Sequence, residues 1–165
     1  MTQNEESDAL FAEVEALLQR WLKERRDVLT RYTEIVVALD GQLDEADMQA
    51  RQKRLCQLLV DYISAGHFEV FSQLVDEAER FEDGRCKLAL NILPAIGDTT
   101  EVILAYEEKY AGSDSNTATV GDDEKLRRDL SALGELLESR FTLEDQLIAG
   151  LHNRHRRQAS SPTPS

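Results

Sequence analysis

Apolar residues recur at steps of three, four and seven from Asp8 onward, at Leu10, Val14, Leu17, Trp21, Val28, Tyr32, Ile35 and Leu39. That spacing predicts one buried helical face ending at Asp40-Gly41, and one long helix or two with an internal break fit it equally. Asp44 then caps a second helical pattern running through Leu55, Leu59, Tyr62, Ile63, Val70, Phe71 and Leu74 to about Phe81, where Glu82-Asp83-Gly84 stops it. A third pattern runs from Arg85 to Tyr110 with Ile96, Ile103, Leu104 and Tyr106 as its buried side, and Pro94 predicts a break or kink at Leu93. Residues Ala111 to Asp123 read as a flexible loop. The last helix runs from about Asp122 through Leu126, Leu130, Leu133, Leu137, Phe141 and Leu147 to Leu151. Strand-like alternation and fixed repeats are absent. The prediction is therefore an all-α, up-and-down antiparallel helical bundle of four main segments with extra breaks. It occupies residues 1–151 as a single domain, and residues 152–165 form a basic, Ser/Pro-containing disordered tail.

Composition agrees with a folded helical chain: 165 residues, 41% hydrophobic and 31% charged, with 8 Gly and 3 Pro. Apolar runs read as too short to cross a bilayer, and the start MTQNEESD lacks the basic and apolar blocks of a secretory signal, so a cytoplasmic location is expected. Cys56 and Cys86 are read as reduced structural thiols. The net charge is −13, and setting aside Arg154, Arg156 and Arg157 of the acid-free tail leaves −16 for residues 1–151. Such a domain repels nucleic acid and anionic lipid and attracts basic partners; solubility is the plainer use of the same charge.

Within the second helix, the run CQLLVDYISAGHF from Cys56 to Phe68 sets Asp61, Ser64 and His67 among apolar residues. The stripes Leu58, Asp61, Ala65, Phe68 and Cys56, Val60, Ile63, His67 are both mostly apolar, which predicts a central helix and an expensive, buried carboxylate at Asp61. Gly66 in mid-helix costs about 1 kcal/mol relative to alanine and predicts close approach of another backbone or of a partner. Two readings stay open. Asp61 pairs internally with Arg20 or Arg140, with Ser64 bonding back to Val60 and His67 bonding inside the bundle, or the same residues line a partner-facing cavity. Trp21 and the leucines of the last helix read as core, and Arg25 and Arg26 as solvated partners of Glu24, Glu13 or Glu15. No enzyme is expected: paired Glu-x-x-His motifs, a Gly-rich phosphate loop and a nucleophile elbow are missing. His152 and His155 read as neighbours in a fraying helix end, so no metal or cofactor is expected.

Arg20-Trp21-Leu22 with Arg25, then CQLLVDYISAGHF, then LSALGELLESRFTLEDQLI from Leu130 to Ile148 resemble, in order and spacing, the Rsd/AlgQ family of bacterial anti-sigma factors. Pro94, Thr100 and Tyr106 agree between the stronger blocks, and the likeness spans roughly residues 10 to 150; the N-terminus, the loop near Ala111 to Gly121 and the tail depart from it. The resemblance implies a helical bundle that binds region 4 of the primary sigma factor, a basic helix-turn-helix, and withholds it from RNA polymerase and promoter. Its partner-binding carboxylate corresponds to Asp61, and the expected partner face comprises Asp61, Ser64, Phe68, Tyr62 and Phe71. A monomer forming a 1:1 complex is expected. The alternative implied by the resemblance is a non-catalytic adaptor that binds a phosphocarrier protein of sugar transport or a guanosine tetraphosphate hydrolase.

Overall fold

The first apolar pattern forms one unbroken helix, α1 (Thr2–Leu39), whose 38 residues span about 57 Å. The computed structural model describes residues 2–41, 44–81, 86–111 and 123–155. The proposed stop at Glu82-Asp83-Gly84, the central loop residues 112–122 and the tail beyond His155 lie outside the described residues. Helix α2 (Glu45–Ala65) opens on Asp44, whose carboxylate accepts from the Asp47 N–H at 2.8 Å. A π-turn (Gly66–Val70) joins it to α3 (Phe71–Phe81), so the second pattern is one helix carrying a five-residue bulge. Helices α4 (Cys86–Ala111) and α5 (Asp123–Leu151) follow, and a short 3₁₀ turn covers Asn153–His155.

Cross-helix contacts give the topology directly. Arg25 reaches Asp145, Tyr32 reaches the Leu130 carbonyl and Arg127 reaches Asp40, so α1 and α5 run antiparallel. Glu34 against Arg51 and Trp21 against Tyr62 give the same sense for α1 and α2. Tyr110 with Asp129 and Thr99 with Arg140 set α4 and α5 antiparallel, and the Tyr106 hydroxyl donates to Gln52 across α4 and α2. The chain is therefore an all-α antiparallel bundle, as the pattern predicts.

Helix α4 differs from expectation in three ways. It continues through Pro94 without a break, and Pro94 and Leu90, whose carbonyl has no Pro94 N–H to accept from, both lie on the exposed side. Leu104 is 44% exposed, whereas Ile96, Ile103 and Tyr106 are buried as read. From Lys87 to Ala111 it is also long and apolar enough, by length and composition, to cross a bilayer, which corrects the reading of all apolar runs as too short. In the bundle its side bearing Ala89, Ile92, Ile96 and Ile103 packs against α2 and α5. Trp21, Leu130, Leu133 and Leu137 are core, in agreement with their spacing. Cys56 is a free buried thiol that burial, with help from Glu107, pushes up to about 12, which suppresses the reactive thiolate.

Two buried polar clusters brace the bundle, and neither follows from local spacing. At its centre Arg140 is fully buried, bonding the Glu144 carboxylate at 2.9 Å, the Thr99 and Thr100 hydroxyls at 2.9 and 2.8 Å and the Ile96 carbonyl at 3.3 Å. Burial pushes the Glu144 carboxyl up, while Arg140, the Tyr62 hydroxyl and Arg25 pull against it. Arg25 thus pairs across the bundle, 2.9 Å from Asp145 and 3.3 Å from Glu144 with its guanidinium over Phe141, and not with its neighbours on α1.

The second cluster corrects the reading of a fraying C-terminal end. His152 and His155 are fully buried, stacked on Phe11 at 4.2 Å and on Phe81 at 4.1 Å. His152 Nδ1 lies 2.8 Å from both oxygens of buried Glu77, its Nε2 meets Glu15, and His155 Nδ1 stands 3.2 Å from Glu77. Carboxylates at both ring nitrogens call for two N–H donors, hence the imidazolium. Burial pulls the His152 pKa down, and the two carboxylates more than offset that, leaving it above the usual 6.5. A raised folded-state pKa stabilises the fold fully below the unfolded value, and that contribution is lost as pH rises through the folded one. Thermal unfolding across neutral and mildly alkaline pH is expected to show stability falling with rising pH and a shallower slope in His152→Gln; equal slopes in both proteins would contradict this.

Candidate functional site

Asp61 is exposed, and no ion pair joins it to a cation among the described residues. The expectation of a buried carboxylate is corrected. The bundle takes the face carrying Leu55, Leu59, Tyr62 and Ile63, with Leu58 half-buried at its edge, which leaves Asp61 and Phe68 outward. Of the internal partners proposed for Asp61, Arg140 is committed to Glu144 and the α4 threonines.

Charge gathers around this exposed carboxylate. Partial burial raises the pKa of the Glu24 carboxyl on α1, and the charges of Asp61 on α2, Glu69 in the π-turn and Asp27 on α1 raise it further. Four carboxylates from three elements therefore share one electrostatic neighbourhood. A docked cation would relieve the repulsion. Glu24, Asp27 and Glu69 were not singled out from the sequence; the usable signal was that Glu24 and Asp27 follow Trp21, whose indole sits against the Asp61 segment.

The five predicted partner-face residues divide. Phe68 is 75% exposed, an unusual position for a side chain whose full burial is worth roughly 2 kcal/mol, and its ring meets that of exposed His67 at 5.0 Å. Ser64 is half-buried at the rim. Tyr62 is fully buried, stacked on Trp21 at 5.1 Å with its hydroxyl on Glu144, and burial drives its pKa up; it is core, not contact surface. Phe71 is buried too, 6% exposed, held edge-on against Trp21. It nevertheless helps to line a groove of about 620 Å³ between the π-turn, α3 and α4, together with Phe68, Ser72, Val75, Leu93 and Gly97. A Cβ on Gly97 would meet nothing within 4 Å, so the α4 wall is open there. Among the described residues no group of three or more His, Cys, Asp or Glu is placed to hold a metal ion.

The geometry is thus an acidic cluster beside an exposed phenylalanine and an apolar groove. The family described as "Regulator of RNA polymerase sigma(70) subunit, Rsd/AlgQ" matches residues 1–152. The chain belongs to the Rsd/AlgQ family. Similar proteins include "Regulator of sigma D" of Yersinia pseudotuberculosis serotype O:1b (strain IP 31758), 30% identical over 135 residues that cover 80% of this chain and 77% of the relative. The protein of the same name from Salmonella arizonae is 36% identical over 138 residues, covering 80% of this chain and 79% of the relative. That of Yersinia enterocolitica is 28% identical over 135 residues, with 80% and 78% covered. No solved structure matches this chain. Membership places the chain among regulators of the RNA polymerase sigma(70) subunit.

Proposed function

We propose that this Rsd/AlgQ member is a cytoplasmic anti-sigma factor that binds region 4 of the primary sigma factor, one to one, and withholds it from RNA polymerase and promoter DNA. The observation that carries the reading is that exposed Asp61 shares its electrostatic neighbourhood with Glu24, Asp27 and Glu69, and that Glu69 follows exposed Phe68 in the π-turn. Region 4 is a basic helix-turn-helix that ordinarily meets phosphate, and carboxylates offer its arginines the same charge-assisted hydrogen bonds. Asp61 supplies the central acceptor, Ser64 a polar rim, and Phe68 the apolar anchor beside the groove that Phe71 floors. Non-catalytic binding suffices for this role.

With a net charge of −13, the chain attracts a basic partner before contact. Stopped-flow mixing with isolated region 4 is expected to give an association rate that falls as salt shortens the screening length below about 8 Å. A rate that does not change with salt would contradict the electrostatic part of the reading.

A further inference from the structure

We propose that Trp21, itself buried, is a positioning residue for the partner face: its indole holds the π-turn open and so turns the helix beyond it, with Ser72 and Val75, off the Asp61 stripe and onto the groove facing Gly97. This inference rests on the reading of that face as the sigma-docking surface. The hydrogen-bond ladder changes where the indole meets it. Trp21 Nε1–H donates to the Tyr62 carbonyl at 3.0 Å, the Gly66 N–H reaches both the Tyr62 and Ile63 carbonyls, and the Phe71 N–H then bonds Gly66, five residues back. A Cβ on Gly66 would stand 2.9 Å from Trp21 Cζ2 and 3.3 Å from Phe71 Cζ, so the ring lies directly on the helix backbone.

The rotation is needed because of the buried positions on either side. Tyr62, Gly66, Val70, Leu74 and Ala78 are all buried, at successive steps of four. At about 100° per residue, an uninterrupted α-helix would place Ala78 about 160° around from Tyr62, and one residue absorbed in the π-turn takes back about 100°. The same correction turns Ser72 and Val75 off the Asp61 stripe and onto the groove facing Gly97. A straightened helix would return Ser72 and Val75 to the Asp61 stripe, away from the groove, and would turn Leu74 and Ala78 off the core.

The double variant Trp21→Phe/Gly66→Ala tests this, since the smaller ring vacates the space that the new Cβ and a regular ladder require. Relative to Trp21→Phe alone, the double variant is expected to lose further thermal stability, as Leu74 and Ala78 turn off the core, and to bind region 4 more weakly, about tenfold below wild type. Hydrogen-bond scalar couplings should move the Phe71 N–H acceptor from Gly66 to His67. Affinity in the double variant no weaker than in Trp21→Phe would overturn the proposal, as would a π-turn ladder that survives in the double variant. Phe68→Ala in the wild-type background separates the two readings: unchanged affinity there overturns the docking face itself, whereas weakened binding there with wild-type affinity in the double variant overturns only the role of Trp21.

Discussion

Asp61→Ala is expected to raise the dissociation constant for sigma region 4 at least tenfold, with the helical circular-dichroism signal unchanged. Both halves follow from its placement. In the free chain Asp61 is exposed and makes no ion pair among the described residues, so its loss costs the fold little, within the roughly 0.5 kcal/mol usual for surface substitutions. In the complex a docked helix would cover it, and removing one partner of a covered, hydrogen-bonded charge pair costs about 2–5 kcal/mol, where 1.4 kcal/mol is tenfold. Asp61→Lys should go further, since it sets a cation against a basic partner among Glu24, Asp27 and Glu69. Isothermal titration of the folded variants measures this, and wild-type affinity in Asp61→Ala would remove the residue from the interface.

Arg140→Ala is expected to give the largest loss of stability, about 3–5 kcal/mol in urea unfolding. The guanidinium is fully buried and joins α5 to α4 through Thr99, Thr100 and the Ile96 carbonyl. Its removal leaves those acceptors without their charged donor and buried Glu144 with only Arg25 and Tyr62, beside a cavity in the core. Against a typical domain stability of about 5–15 kcal/mol, much of the folded margin would go. Replacing Arg140 and Glu144 together by Met and Leu should cost far less, because no unpaired charge remains. A loss below about 1 kcal/mol in Arg140→Ala would mean that the cluster contributes little.

Which parts of this were legible in the sequence follows from what periodicity can report. The cap at Asp44, the end at Asp40-Gly41, the core role of Trp21 and the antiparallel order of helices are local or short-loop properties. The same periodicity misjudged Asp61, because two mostly apolar stripes on one helix do not say which of them the bundle will cover. The π-turn was readable in principle: the four-residue steps from Tyr62 to Ala78 exceed 3.6, and a rule that accepts three or four at each step hides the excess. Gly66 signalled close approach, but the neighbour is the indole of Trp21, 45 positions earlier in the chain, and not a backbone or a partner. Arg25 with Asp145 and His152 with Glu77 are likewise separated by 120 and 75 positions, and nothing local distinguishes them from solvated charges.

The proposed docking of region 4 on the acidic face around Asp61 and Phe68 can be read residue by residue. Titrating isotopically labelled chain with unlabelled region 4 and following the backbone amide resonances tests it most directly. Saturation is expected at one equivalent, with perturbations concentrated at Glu24, Asp61, Ser64, Phe68, Glu69 and the groove wall near Gly97, and with the His152–Glu77 end unmoved. Absence of any perturbation, or a set confined to the α1–α5 side around Glu15 and Asp145, would contradict it.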